Sequence, residues 1–169
     1  MISIGSPFPN VSLQATNGEA INLSKLAGIS VLYAYPRTSP PNAPPIEGWD
    51  LIPGARGCTP QSCAFRDHYA ELKDAGAAYL FGLSTQNTEY QAEVVGRLHL
   101  PFPLLSDSDL SLTQALELPT FEAGGMTLIT RSTLIVENGV VLEVMSPVSA
   151  PDQNAEDVLT FLSERASKA

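Results

Sequence analysis

An α/β fold is what this sequence predicts: a central mixed sheet with flanking helices, opened and closed by hairpins. Three observations carry that expectation. Short apolar, β-rich runs at Ser30–Tyr35, Ala78–Leu83 and Phe102–Leu105 alternate with stretches of helical periodicity, the order that a parallel core requires. The apolar runs lack the polar alternation of a half-exposed sheet, which is consistent with burial on both faces. Two Asn-Gly pairs, Asn17-Gly18 and Asn138-Gly139, each sit between alternating segments, a strong hairpin signal.

The elements follow in order. Residues Pro9 to Ala27 read as a small hairpin and a turn, with Val11, Leu13, Ile21 and Leu23 as the apolar positions. Ser30–Tyr35 is the first buried strand. From Pro36 to Arg56 the pattern stops: Pro40-Pro41 and Pro44-Pro45 forbid regular helix and central strand, and the only tryptophan, Trp49, falls here. A helix follows, with Thr59 as N-cap and Pro60 at its first position, and with Phe65, Tyr69, Leu72 and Ala75 at helical spacing up to Gly76. Ala78–Leu83 is a second strand, Thr88–Leu98 a helix and Phe102–Leu105 a third strand. A short helix spans Leu110 to Leu116. Thr133–Val136 and Val140–Val144 pair around the second Asn-Gly turn. Pro151 opens a terminal amphipathic helix with Val158, Leu159 and Leu162 on its apolar stripe.

A chain of 169 residues, 44% hydrophobic and 16% charged, fits one domain over residues 1–169 and can bury a core. The formal net charge of -9 argues against nucleic acid and anionic membranes as partners. The N-terminus has no basic stretch followed by an apolar run, and no segment approaches the ~18 apolar residues of a membrane span. The expectation is a soluble, cytoplasmic protein. Two cysteines are too few for a disulfide framework, so a close pair in a reducing compartment points to redox chemistry or metal binding.

That pair lies in Gly57-Cys58-Thr59-Pro60-Gln61-Ser62-Cys63. Cys58 falls just before the expected helix, where unpaired backbone N–H groups and the macrodipole favour an anion. The thiolate is the reactive form of cysteine. Cys63 lies five residues on. Along an intact helix the two Cα atoms would be ~8.6 Å apart and roughly 140° apart around the axis. A disulfide needs Cα atoms within about 7 Å. The pair therefore bridges only if the first turns unwind, which suggests a sequence of sulfenic acid at Cys58, local unfolding, then attack by Cys63. The competing reading is two ordinary core cysteines. A metal site through Cys58, Cys63 and His68 has spacings of five and five, unlike metal pairs, and the C-x-x-C of a dithiol reductase is absent.

On these residues the chain resembles the peroxiredoxin Q group, also called the bacterioferritin comigratory protein type. The resemblance extends over nearly the whole chain. It rests on IGSPFPNVSLQATNGEAINLSKLAG, on Tyr35-Pro36, on GCTPQSCAFRDHYAEL with its C-x4-C spacing, on FPLLSD, and on Arg131, which opens RSTLIVENG. It implies a thioredoxin-like fold. It also implies reduction of hydrogen peroxide and organic hydroperoxides with no metal or organic cofactor. Carried over, Cys58 is the peroxidatic cysteine and Cys63 the resolving one, joined in an intramolecular disulfide. Arg131 is the arginine beside the thiolate, where charge-assisted bonds are strong. The reductant would be thioredoxin or a glutaredoxin-like donor, and the protein a monomer or weak dimer.

One motif departs from that group, which carries P-x3-T/S-x2-C. Counted back from Cys58, the hydroxyl position is Ala55 and the proline position Leu51. The loop is about fifteen residues longer than the group's short turn, so residues 37–56 read as a Pro-rich insertion. Pro36 then keeps its place, and Thr38 or Ser39, with Thr38 favoured, supplies the hydroxyl.

Other residues carry blander expectations. Arg56 reads as a solvated loop charge or a peroxide-steering residue, and Arg66 as an ion-pair partner of Asp67. His68 reads as a helix-surface residue and His99 as loop. Trp49 could pin the loop or anchor a partner. Phe121 and Met126 could line an apolar rim or simply pack in the core. A peroxide-sensing switch or binding module on the same fold is the alternative to an efficient peroxidase. A thiol-disulfide oxidoreductase is a third class.

Overall fold

The N-terminal hairpin forms where its turn chemistry places it. In the computed structural model of the chain, which describes residues 2–38 and 57–168, β1 (Leu13–Ala15) and β2 (Ala20–Ile21) pair antiparallel across Asn17-Gly18. A 3-10 turn over Leu23–Lys25, capped by the Asn22 side chain, leads to β3 (Ile29–Ala34). All six β3 residues are buried, as its unbroken apolar run requires. Residues 39–56, which hold Ser39, Trp49, Leu51, Ala55, Arg56 and most of the expected insertion, lie outside the described residues.

The described chain resumes at Gly57 and enters α1 (Cys58–Asp67) and α2 (Tyr69–Asp74). One continuous helix is the sequence expectation here. His68, at φ -97° and ψ 8°, breaks it. The cap is Gly57 rather than Thr59, so Cys58 is the first residue of the helix instead of preceding it. Then come β4 (Ala77–Ser84), α3 (Thr88–Leu98), β5 (Leu104–Ser106) and α4 (Ser111–Ala115). β5 starts two residues later than expected, because Pro101 and Pro103 have no N–H to give a ladder.

A further hairpin lies outside the elements that the sequence predicts. β6 (Thr120–Ala123) and β7 (Met126–Ile129) pair antiparallel as a separate two-stranded sheet. Gly124 and Gly125 between them both have positive φ, 58° and 75°, which a tight primed turn demands. β8 (Ser132–Glu137) and β9 (Val140–Met145) form the expected closing hairpin. A 3-10 turn over Pro151–Gln153 precedes α5 (Asn154–Lys168).

Among the described residues the main sheet has seven strands, in the order β2-β1-β5-β4-β3-β8-β9. β3, β4 and β5 are parallel, and β8 joins β3 antiparallel. Side chains alternate between faces. Leu32 and Ala34 join Leu83, Leu112, Leu116 and Leu134 on one side. Val31, Tyr33 and Tyr35 join Cys58, Phe65, Val158 and Leu162 on the other. The second side, roofed by α1, α2 and α5, holds the helix that carries both cysteines. The α/β fold with a central mixed sheet and N-terminal hairpin is therefore the one expected. No helix among the described residues is long and apolar enough to cross a membrane.

Candidate active site

Cys58 opens α1, and the residue before it explains why it can. Gly57 adopts φ 105°, a left-handed conformation that side chains disfavour. A Cβ there would also lie 2.7 Å from Cγ of Pro151. The backbone thus turns sharply against the 3-10 turn before α5 and sets Cys58 at the helix N-terminus. Its side chain is buried, at 5% exposure. The N–H groups of the first turn and the helix dipole face this end.

Arg131 meets Cys58 from the opposite side. It lies between β7 and β8, and its carbonyl accepts from the N–H of Val148 at 2.9 Å. The side chain is buried to 1% exposure. Nη2 donates to Cys58 Sγ at 3.3 Å, and Nη1 donates to Gln61 Oε1 at 2.5 Å. A buried guanidinium is costly unless paired. Its planar fork holds two acceptors at once, here the Cys58 sulfur and the Gln61 amide oxygen.

Gln61 is itself anchored. Its Nε2 donates to Asn154 Oδ1 at 3.0 Å, and that oxygen also accepts from Thr133 Oγ1 at 2.7 Å. Asn154 Nδ2 donates to Met145 Sδ at 3.7 Å. Gln61, Thr133 and Asn154 are all buried. The sulfur, the arginine, α1, β8 and α5 are joined by one continuous hydrogen-bonded path.

Aromatic rings pack beside it. Tyr33 stacks on Phe65 with centroids 4.4 Å apart, and its hydroxyl shares a 3.0 Å hydrogen bond with Ser62. Tyr35 stacks on Tyr33 at 5.8 Å. Burial holds the Tyr33 phenol well above its ordinary value, with Tyr35 adding to the effect. Burial likewise raises Tyr35. Both phenols stay protonated and neutral, so neither serves as a base near neutral pH.

Cys63 shares α1 with Cys58 and is partly exposed, and neither cysteine is in a disulfide. The helix between them is intact, so the helical separation of ~8.6 Å applies and the pair is not in bridging position. Pro36 is buried at the bend after β3. Thr38 is buried, and its hydroxyl donates to Gln86 Oε1 at 3.4 Å. Its carbonyl accepts from Gln86 Nε2 at 3.0 Å and from the Tyr90 hydroxyl at 2.7 Å.

The remaining candidates lie on α1, at the ends of α1 and α3, and on the β6–β7 hairpin. Arg66 pairs with Asp67 at 2.9 Å, as expected, and also donates to the carbonyl of Leu98. His68 does more than lie on a surface: its Nδ1 meets Glu71 at 3.1 Å, and its Nε2 is 3.7 Å from Glu156 on α5. His99 caps α3 at φ 54°. Phe121 and Met126 lie on the β6–β7 hairpin, with Met126 36% exposed.

Gln61, Asn154 and Thr133 are site residues that sequence reasoning missed. Gln61 has a usable signal, since a residue three after Cys58 shares its helix face. Asn154 and Thr133 have none, because only the fold brings them to Gln61.

Comparison with known proteins adds to this geometry. The redoxin family model matches residues 3–159. A putative chloroplastic peroxiredoxin Q of Oryza sativa subsp. indica is 33% identical over 163 residues, covering 95% of this chain and 67% of that one. The chloroplastic peroxiredoxin Q of Sedum lineare is 32% identical over 163 residues, with 95% and 78% covered. Among solved structures, peroxidoxin BcpB from Mycobacterium tuberculosis superposes with a TM-score of 0.79 at 25% identity, covering 100% of both chains. Peroxiredoxin Q from Xanthomonas campestris, at 23% identity and a TM-score of 0.76 over 96% of this chain and 98% of that one, shares the fold.

Proposed function

The chain belongs to the redoxin family and is a peroxiredoxin of the Q type, a peroxidase; on that premise we propose that Cys58 is its peroxidatic cysteine and Cys63 its resolving one. The observation that carries this reading is Arg131 Nη2 at 3.3 Å from Cys58 Sγ, at the N-terminus of α1. The Cys58 thiolate attacks one oxygen of the peroxide. The S–O bond forms as the O–O bond breaks, giving a sulfenic acid, and the other oxygen leaves as water or an alcohol once protonated. Arg131, already hydrogen-bonded to the sulfur, stabilises negative charge developing on the leaving oxygen until that oxygen is protonated.

The second step needs Cys63 to approach. With both cysteines on an intact α1, the first turns unwind, the Cys63 thiolate attacks the Cys58 sulfur, and hydroxide leaves to become water. A thioredoxin or glutaredoxin-like donor then supplies two electrons and returns both thiols, in a reducing compartment such as the cytoplasm. Pro36 and Thr38, both buried just after β3, are the remaining residues that we assign to the site. Thr38, held by Gln86 and Tyr90, stands in for the hydroxyl missing at Ala55.

Stopped-flow peroxide consumption by wild type, Cys58→Ser and Cys63→Ser tests the assignment. The first turnover should vanish only in Cys58→Ser, and repeated turnover should vanish in both. Loss of the first turnover in Cys63→Ser would exchange the roles. A wild type that reacts once and does not cycle with any dithiol donor would be a sensor rather than an efficient peroxidase.

A further inference from the structure

The buried path behind Arg131 bears on the step after peroxide reduction, and its role there rests on the Cys58–Cys63 disulfide proposed for turnover. Gln61 lies between Cys58 and Cys63 on α1, and its side chain makes two buried hydrogen bonds, one with Arg131 and one with Asn154. For Cys63 to reach Cys58, the turn that carries Gln61 must unwind, since ~8.6 Å along a helix exceeds the ~7 Å limit for a disulfide. Unwinding pulls Gln61 off both partners. The far end of the restraint is firm. Asn154 is 1% exposed, and its oxygen is also held by Thr133 on β8. The turn leading into Asn154 packs closely against the same segment, since a Cβ on Gly57 would meet Pro151 at 2.7 Å.

We propose that Asn154 is a positioning residue that latches the first turns of α1 to α5 through Gln61, and that this latch sets how the Cys58 sulfenic acid is partitioned. A closed latch keeps Arg131 on Cys58 and delays Cys63. The sulfenic acid then meets a second peroxide, which transfers one oxygen to give the sulfinic acid and leaves as water or an alcohol. An open latch lets Cys63 attack, forming the disulfide and releasing water. Asn154 touches neither sulfur. It acts through Gln61, with which it shares a hydrogen bond, and through the segment on which Pro151 rests.

Asn154→Ala and the near-isosteric Thr133→Val test this. Each is treated with graded hydrogen peroxide, and disulfide and sulfinic acid are counted by intact mass, with folding checked by circular dichroism. Asn154→Ala should lower the ratio of sulfinic acid to disulfide about fivefold, the equilibrium change of one net hydrogen bond of about 1 kcal/mol. Its first-turnover rate should fall as Arg131 loses its backing. Thr133→Val should shift the ratio the same way by less, and it decides the matter if Asn154→Ala does not fold. An unchanged ratio or a rise in sulfinic acid, in a folded variant, overturns the latch while leaving the disulfide reading intact. A wild type that forms no Cys58–Cys63 disulfide overturns that reading and the latch with it.

Discussion

Arg131 donates to the Cys58 sulfur at 3.3 Å although the two residues are 73 positions apart in the chain. One stands just ahead of β8 and the other at the start of α1, and both are nearly sealed from water. In such a place the attraction between a fixed cation and negative charge on a neighbouring atom is screened less than at the surface.

Arg131→Lys keeps the charge and loses the fork. A single ammonium does not reproduce the planar hold on both Cys58 and Gln61. We expect the first-turnover rate to fall on the order of 10²-fold, the usual loss when one preorganised donor is removed. Pre-steady-state peroxide consumption measures it, and a rate close to that of wild type would show that charge alone suffices.

Gly57→Ala should destabilise the protein and the site together. The new Cβ meets Pro151 at 2.7 Å, and φ 105° is unfavourable to alanine. A cost of about 1–3 kcal/mol is expected. Chemical denaturation gives the number, and an unchanged midpoint would mean that the 3-10 turn yields freely.

Alkaline pH should unfold the protein through Tyr33 and Tyr35. Both phenols are raised by burial, so above pH ~10 the unfolded chain releases protons that the folded one keeps. The unfolded state then binds fewer protons, and stability falls as pH rises, while near pH 7 both states are protonated and nothing changes. Each tyrosine contributes up to about 1.4 kcal/mol per pH unit. Tyr33→Phe should remove one such share from the slope above pH ~10, at a cost near neutral pH of about 1 kcal/mol for the lost Ser62 bond. Identical alkaline slopes in wild type and variant would contradict this.

Thr38→Ala asks whether this residue supplies the hydroxyl that Ala55 cannot. If Thr38 reaches the peroxide or the thiolate during turnover, its loss should slow the first turnover ~10-fold or more, the worth of a hydrogen bond to a charged group. Unchanged turnover with lowered stability would confine Thr38 to its contacts with Gln86 and Tyr90.

The elements legible in the sequence are those with strong local signals. Buried strands announce themselves as apolar runs, and Asn138-Gly139 marks the closing hairpin. Gly124-Gly125 carries a comparable signal between Ala123 and Met126, but each flanking run is only four residues long, and Met126–Ile129 does not alternate strictly, so the β6–β7 hairpin is not legible. The helix break at His68 has no proline or glycine to mark it.

The cysteine pair belongs to the sequence alone. Its spacing of five residues, with Gly57 before it and Pro60 within it, sets one cysteine at the start of a helix and the two too far apart to bridge while that helix is intact, because helical rise and disulfide geometry are local constants. Which groups surround the sulfur was decided by tertiary structure. Arg131 was expected from resemblance, but its backing by Gln61, Asn154 and Thr133 depends on β8, α1 and α5 meeting in one buried layer. No local pattern encodes that meeting. Buried polar groups must find partners wherever the packed chain brings them, and only the fold states which ones they find.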